Sequence, residues 1–210
     1  MVKEKFRYYF LKISLIILVV FIFQILFQGF TDFFVLDNRA FLLSQYWRYL
    51  SAIFLHASLT HLLYNLFALI FFGLALERIA GSKNFLIIFL GSGLIANMIA
   101  LNFYPKSLGA SGAIYGVIGA LTVLRPFMLV WAFGIFMPMI VASILWIVGD
   151  IFGIFFPSDV GSIAHLAGIF IGFLFGFVLR ILNKKRIKIK KEKLVFPEEK
   201  IRTWEDLYIK

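Results

Sequence analysis

The chain has 210 residues, 62% of them hydrophobic and only 15% charged, where a water-soluble domain carries roughly one half and one quarter. That balance excludes a soluble globular fold and indicates an integral membrane protein. The 21 Lys and Arg against 11 Asp and Glu do not mark a nucleic-acid binder: ten crowd into the tail from Lys184 onward, while Lys3, Lys5, Arg7 and Lys12 flank the first apolar run, as residues that orient spans do.

A hydrocarbon core about 30 Å thick takes roughly 20 apolar residues per helix. Six segments qualify or nearly qualify, at 9–29, 60–79, 84–103, 111–124, 127–148 and 162–182. The expectation is an all-α polytopic bundle: a cytoplasmic N-terminus over 1–8, a six-helix core over 9–182 and a basic cytoplasmic tail over 183–210. The first run, Ile13 to Phe27, is long and aromatic-rich and lacks a small-x-small cleavage site, so it reads as a retained signal anchor. The connection over 30–59, with Asp32, Asp37, Asn38, Arg39, Trp47 and Arg48, is too long for a simple link and should fold separately or carry function.

The fourth segment is short. Gly109 and Gly112 interrupt its start and Arg125-Pro126 ends it, leaving about 14 residues, or roughly 21 Å of helix. Its N-terminal end, which carries Ser111, should stop below the outer surface, so Tyr104 to Ala110 dips into the protein as irregular backbone. Such backbone is tolerated only when buried in protein or lining water, and a water-filled recess open to the outside follows. In the tail, Pro197, Glu198 and Glu199 exclude a further span; its basic start could bind anionic lipid, and Thr203-Trp204-Glu205-Asp206-Leu207 could form a short amphipathic helix.

Placing the N-terminus in the cytoplasm puts 18 basic residues inside and leaves only Arg39, Arg48 and Lys106 outside. The positive-inside rule selects that orientation, with both termini cytoplasmic.

The chain has no cysteine, so thiol nucleophiles, disulfides and Cys-based metal sites are excluded, and no cofactor or metal is expected. All three histidines, His56, His61 and His165, fall at or near the predicted outer half of spans. His61 and Asn65 are four residues apart, on one helix face, and both donate hydrogen bonds from side chains. Small residues recur every fourth position at Gly112, Gly116 and Ala120 and again at Ala164, Gly168, Gly172 and Gly176, a pattern that lets helix backbones approach closely. Packing those ridges together brings Ser111 and His165 within hydrogen-bond reach, and serine beside histidine is an activated nucleophile. Taken singly, a Gly-xxx-Gly ridge is usually packing, and a membrane serine usually bonds its own helix. Their convergence on one side of the membrane favours chemistry.

These residues give the chain a resemblance. Gly109-x-Ser111-Gly112 with Tyr115 one turn later, His61-x-x-x-Asn65, Ala164-His165-x-x-Gly168-x-x-x-Gly172 and Trp47-Arg48 in the first loop make it similar to a rhomboid intramembrane serine protease, over residues 9 to about 182. The resemblance implies a compact six-helix fold with a long first extracellular loop and a short central fourth helix, and a Ser–His dyad without a carboxylate. Ser111 is then the nucleophile and His165 the general base. Tyr115 stacks on that histidine, and His61, Asn65 and the Ser111 backbone N–H form the oxyanion hole. Gly109 and Gly112 keep the backbone close to the scissile bond, and His56 matches a structural position.

Trp47 and Arg48 are expected to anchor the first loop at headgroup depth rather than to bind substrate. The fifth span resembles the family's mobile gate helix, with Gly134 and Pro138 as weak points; Tyr64 and Trp146 read either as gate residues or as lipid-facing aromatics. The expected partners are transmembrane protein substrates and lipid. Two rivals stand beside this reading: an inactive relative that binds transmembrane clients, and a transporter. Retention of Ser111, His165 and Asn65 opposes the first. The lack of an intramembrane charge for ion coupling and of an inverted repeat opposes the second. Preferred cleavage sequence and oligomeric state are not encoded legibly.

Overall fold

The computed structural model describes residues 6–156 and 161–194. The chain is mostly helical. Helix α1 covers Tyr9–Leu26, and the first connection then folds as short pieces: α2 at Phe30–Phe34, β1 at Leu36–Asp37, α3 at Arg39–Leu42, α4 at Arg48–Ser51 and a 3-10 turn at Ala52–Phe54. Long helices α5 (Leu59–Ala80) and α6 (Ser82–Ala100) follow, then β2 at Lys106–Ser107 and the short α7 at Ser111–Leu124. A hairpin of β3 (Leu129–Ala132) and β4 (Ile135–Pro138) leads into α8 (Met139–Phe155), and α9 covers Ser162–Leu194.

Among the described residues, four helices are long and apolar enough to cross a membrane: Tyr9–Leu26, Leu59–Ala80, Ser82–Ala100 and Ser162–Leu182. The apolar α7 and α8 are shorter, at 14 and 17 residues. Large apolar side chains are exposed along the long helices, including Leu15, Ile25, Leu63, Phe67, Leu174 and Phe177. That arrangement suits a lipid surround, which solvates apolar groups and removes the usual reason to hide them. The chain is an integral, multi-pass membrane protein.

The sequence reading needs one correction here. The segment expected as a fifth span over 127–148 begins as the β3–β4 hairpin, paired Leu129 to Pro138 through Ala132 to Ile135, and its helix is shifted to Met139–Phe155. Gly134 takes φ 83° at the hairpin turn, a conformation glycine adopts without strain, and Pro138 precedes the first residue of α8. A hydropathy window cannot separate these strands from a helix, because Leu129, Val130, Trp131, Ile135 and Phe136 are as apolar as the helix they precede.

Packing groups Met1–Phe177 in one unit and Val178–Lys210 in another, and every site residue discussed below belongs to the first. The side chains of the basic tail from Lys184, expected to bind anionic lipid, and the short helix expected at Thr203 to Leu207 lie outside the described residues.

At the core stands α7. Ten of its residues are buried, from Gly112 to Thr122, so neighbours surround it on all sides. Glycine sets its approach to α9: a Cβ at Gly168 would collide with the Gly112 carbonyl oxygen, and one at Gly172 with the Gly116 carbonyl oxygen. Backbone therefore lies directly on backbone. Across α7, a Cβ at Gly116 would strike Ser92 of α6.

Polar ties hold the rest. Glu77, near the end of α5, is 1% exposed and accepts the backbone N–H groups of Tyr9 and Phe10 at 3.0 Å each and the Ser82 hydroxyl at 2.6 Å. It caps α1 from a neighbouring helix, where an anion also meets the positive end of the helix dipole. Gln24 of α1 bridges the His56 backbone twice, donating to its carbonyl at 3.1 Å and accepting from its N–H at 2.9 Å. The His56 ring is buried with both nitrogens lacking a hydrogen-bond partner and meets the His61 ring edge-on at 5.1 Å.

Two predictions follow from these contacts. Gly172→Val, which drives a side chain into α7, should cost about 3 kcal/mol and lower the thermal midpoint in detergent by roughly 6–12 °C. Gly149→Ala, where an added Cβ meets nothing within 4 Å, should shift it by about 2 °C at most; equal shifts would refute the α7–α9 seam. Burial, reinforced by the neighbouring His61 charge and opposed by the Phe54 backbone, lowers the His56 pKa from 6.5 to about 4. Because the unfolded chain binds that proton first, stability should fall as pH drops from 6.5 to about 4. His56→Phe should flatten the fall, measured as thermal midpoint against pH, and an unchanged slope would contradict the assignment.

Candidate active site

Ser111 opens α7, and the segment before it is held from three sides. β2 pairs antiparallel with β1 of the first loop, Leu36 opposite Ser107 and Asp37 opposite Lys106. The Gly109 N–H donates to the Ala52 carbonyl at 2.9 Å. Asn97 of α6 accepts from the Ser107 hydroxyl at 2.9 Å and donates to the Tyr49 carbonyl at 2.9 Å. The segment from Tyr104 to Ala110 thus runs against the first loop, exposed at Pro105 and Lys106 and inaccessible at Gly109 and Ala110 where it reaches α7.

Gly109 has φ 123°, a left-handed conformation, and a Cβ there would lie 2.7 Å from His61 Cε1. Only glycine allows the chain to pass the His61 ring and turn into the helix. Residue Ala110 precedes α7 without any side-chain cap, so the first N–H groups of the helix, that of Ser111 among them, lack the usual intrahelical and capping partners. A half-buried serine therefore stands at an uncapped, electropositive helix end.

His165 lies in the first turns of α9. The Tyr104 hydroxyl accepts the Ile163 N–H at 3.2 Å, so a residue leading to Ser111 also fixes the start of the helix carrying His165. Tyr115, one turn below Ser111, stacks on the His165 ring with centroids 4.2 Å apart and planes 11° from parallel. Nδ1 of His165 lies 3.0 Å from Oδ1 of Asp150 on α8. Both side chains are nearly inaccessible, 11% and 6% exposed.

The Asp150 contact corrects the sequence reading, which found no intramembrane charge and no carboxylate for His165. The apolar segment expected as the fifth span ends at residue 148, two positions short of Asp150. The signal was available as an acid in an apolar stretch, Trp146-Ile147-Val148-Gly149-Asp150-Ile151-Phe152, a pattern that carries a functional presumption at membrane depth.

His61 borders the same space. Its ring rests beside Gly109 and is close enough to His165 for their charges to interact. Ser58 caps α5 by accepting the His61 N–H at 3.1 Å, which fixes the first turn from which His61 projects. Buried Asn65 donates from Nδ2 to the His61 carbonyl at 2.9 Å, leaving its second amide N–H for another acceptor. Among the described residues, no group of three or more His, Cys, Asp or Glu converges as a metal ion would require.

The remaining expected residues divide. Trp146 of α8 packs edge-on to Phe72 of α5 and also against Phe133 of the hairpin, each at 5.6 Å, whereas Tyr64 is 73% exposed. Sequence reasoning missed Phe72 as the aromatic that meets Trp146. Trp47 is half-exposed and stacks on Phe33 at 6.1 Å. Arg48, expected at headgroup depth, is instead buried, donating to the Val35 carbonyl at 3.2 Å and pairing with Asp37 at 3.4 Å. It anchors the first loop from inside.

Comparison with known proteins identifies the family. The Rhomboid domain family model matches residues 43–181. Over 86 residues the chain is 42% identical to the rhomboid protease GluP of Bacillus subtilis, covering 40% of this chain and 17% of that protein. It is 37% identical over 79 residues to Rhomboid-like protease 3 of Toxoplasma gondii (37% and 30% covered) and 43% identical over 75 residues to RHOMBOID-like protein 2 of Arabidopsis thaliana (35% and 24%). The matched stretches span less than a third of each of these three relatives. With a family match over 43–181, most of its length, the chain belongs to the rhomboid family.

Proposed function

We propose that the chain is an intramembrane serine endopeptidase that cleaves transmembrane segments of membrane proteins through an acyl-enzyme. The observation that carries the reading is the Tyr115–His165 stack, which joins the helix that Ser111 opens to the helix that carries His165 across the α7–α9 glycine seam. Relatives named as proteases support it at family level. The finer topology belongs to the same proposal: six spans, with the shorter α7 and α8 completing the set, both termini cytoplasmic and the site opening to the extracytoplasmic side.

In this mechanism His165 Nε2 takes the proton from Ser111 Oγ as the oxygen attacks the scissile carbonyl. The tetrahedral oxyanion is met by the Ser111 backbone N–H, His61 and the free N–H of Asn65, and each such donor typically contributes about 10²–10³ in rate. The protonated His165 then gives its proton to the departing amine, and the acyl-Ser111 bond remains. Water, deprotonated by His165, attacks that ester; collapse releases the new carboxyl end and returns the proton to Ser111. No cofactor enters any step.

A transmembrane substrate must approach from lipid. The α5–α8 seam, closed in part by Phe72 against Trp146, is the side at which the proposal places access, with Tyr64 at its exposed margin.

The test is labelling of the detergent-solubilised chain with a serine-directed fluorophosphonate, read by gel fluorescence and peptide mass spectrometry. The expected result is one labelled site at Ser111, lost in Ser111→Ala and strongly reduced in His165→Ala. Absence of labelling in the wild-type chain, or equal labelling in Ser111→Ala, would overturn the reading in favour of an inactive client-binding relative.

A further inference from the structure

Asp150 is the one charged residue along α8, whose seventeen residues are otherwise apolar apart from Ser143. A carboxylate in that setting loses several kcal/mol of hydration unless a partner restores it. Ser143 is satisfied elsewhere, donating to the Met139 carbonyl at 2.9 Å and meeting Thr122. For Asp150, Oδ1 has His165 Nδ1 at 3.0 Å, and Oδ2 is buried with no hydrogen-bond partner. An acid kept only for packing would be expected to have both oxygens satisfied. This one has a close contact to the His165 ring, with the Tyr115 hydroxyl facing the same carboxylate, so both of its neighbours belong to the candidate site.

The geometry fixes the ring by two independent constraints. Tyr115 from α7 sets the plane of the imidazole, and Asp150 from α8 sets its rotation within that plane. The other groups facing His165 are His61 from α5, whose charge would oppose a second positive charge nearby, and the Tyr115 hydroxyl, which faces the same carboxylate. No basic side chain offsets Asp150 among these neighbours, so the histidine is its charge partner.

We propose that Asp150 is a positioning residue that holds His165 in the Nδ1–H tautomer and stabilises its imidazolium, making the site a Ser–His–Asp arrangement rather than a Ser–His pair. The proposal rests on the peptidase reading of Ser111 and His165. Nδ1–H donates to Asp150, leaving the Nε2 lone pair as the only base on the ring. When Nε2 takes the Ser111 proton, Nδ1 keeps its own proton and Asp150 remains ionised throughout, so only one proton moves. Because Asp150 and His165 lie on different elements, the same contact pins α8 to the start of α9, and displacement of α8 would cost the base its orientation.

The experiment uses the full chain in detergent with ¹⁵N-labelled histidine, signals being assigned with His56→Phe and His61→Ala. The wild-type His165 should show a protonated Nδ1 and an unprotonated Nε2 at neutral pH. Asp150→Asn, near-isosteric but able to donate to Nδ1, should shift it to the Nε2–H tautomer. Fluorophosphonate labelling of Ser111 should then slow about 10²–10⁴-fold, the range a general base supplies, while the thermal midpoint stays near that of the wild type. An Nε2–H tautomer in the wild-type chain, or an unchanged labelling rate in folded Asp150→Asn, overturns the proposal. Should Asp150→Asn not fold, the wild-type tautomer decides alone. A wild-type chain that never labels refutes the peptidase reading, and the tautomer still decides the role of Asp150.

Discussion

Everything at the candidate site depends on two helix backbones lying in direct contact. In lipid the long helices gain nothing by hiding apolar surface from one another, so association rests on close packing and interhelical hydrogen bonds. Gly112 against Gly168 and Gly116 against Gly172 supply that closeness, with no room for a methyl group between them. The same approach sets Ser111, at the head of α7, beside the first turns of α9 that carry His165. A larger residue at Gly168 or Gly172 would push α9 off α7, and one at Gly112 or Gly116 would push α6 away from α7. Fold and site share one seam.

Around the seam, several polar groups have defined partners. Tyr104, Asn97 and the Ala52 carbonyl hold the irregular segment before Ser111, and Gly109 passes the His61 ring where a side chain would collide. Tyr115 and Asp150 hold the His165 ring. The resulting arrangement resembles a soluble serine hydrolase site in logic, with an uncapped helix end, a fixed imidazole and side-chain donors, built inside a shell of apolar surface. Among the described residues, Asp150 Oδ2, the His56 ring nitrogens, Ser92 Oγ, Gln45 Oε1 and Arg48 Nε are buried without a hydrogen-bond partner.

How much of this the sequence reveals depends on the kind of signal. Long apolar runs located α1, α5 and α6 to within a few residues, and Arg125-Pro126 with the glycines at 109 and 112 bounded α7 at the observed Ser111–Leu124. Residue spacing alone predicted that the ridges of α7 and α9 could meet. Hydropathy failed where strands and helix are equally greasy, so the β3–β4 hairpin was read as helix and α8 was displaced toward the N-terminus. That displacement hid Asp150, since a span ending at 148 excludes it. Arg48 was misplaced for a related reason: its type suits a headgroup, and only the fold of the first loop shows Asp37 and the Val35 carbonyl waiting for it inside. Partners far apart in sequence are set by tertiary geometry, and no local pattern names them.

The most direct measurement is proteolysis in a bilayer. The chain and a tagged single-span test substrate are reconstituted together in liposomes, with Ser111→Ala and His165→Ala in parallel, and product ends are located by mass spectrometry. The account predicts that the wild-type chain cuts within or at the edge of the substrate's apolar segment and that neither variant does. Cutting by Ser111→Ala at the wild-type rate, or an intact substrate with the folded wild-type chain, would contradict it.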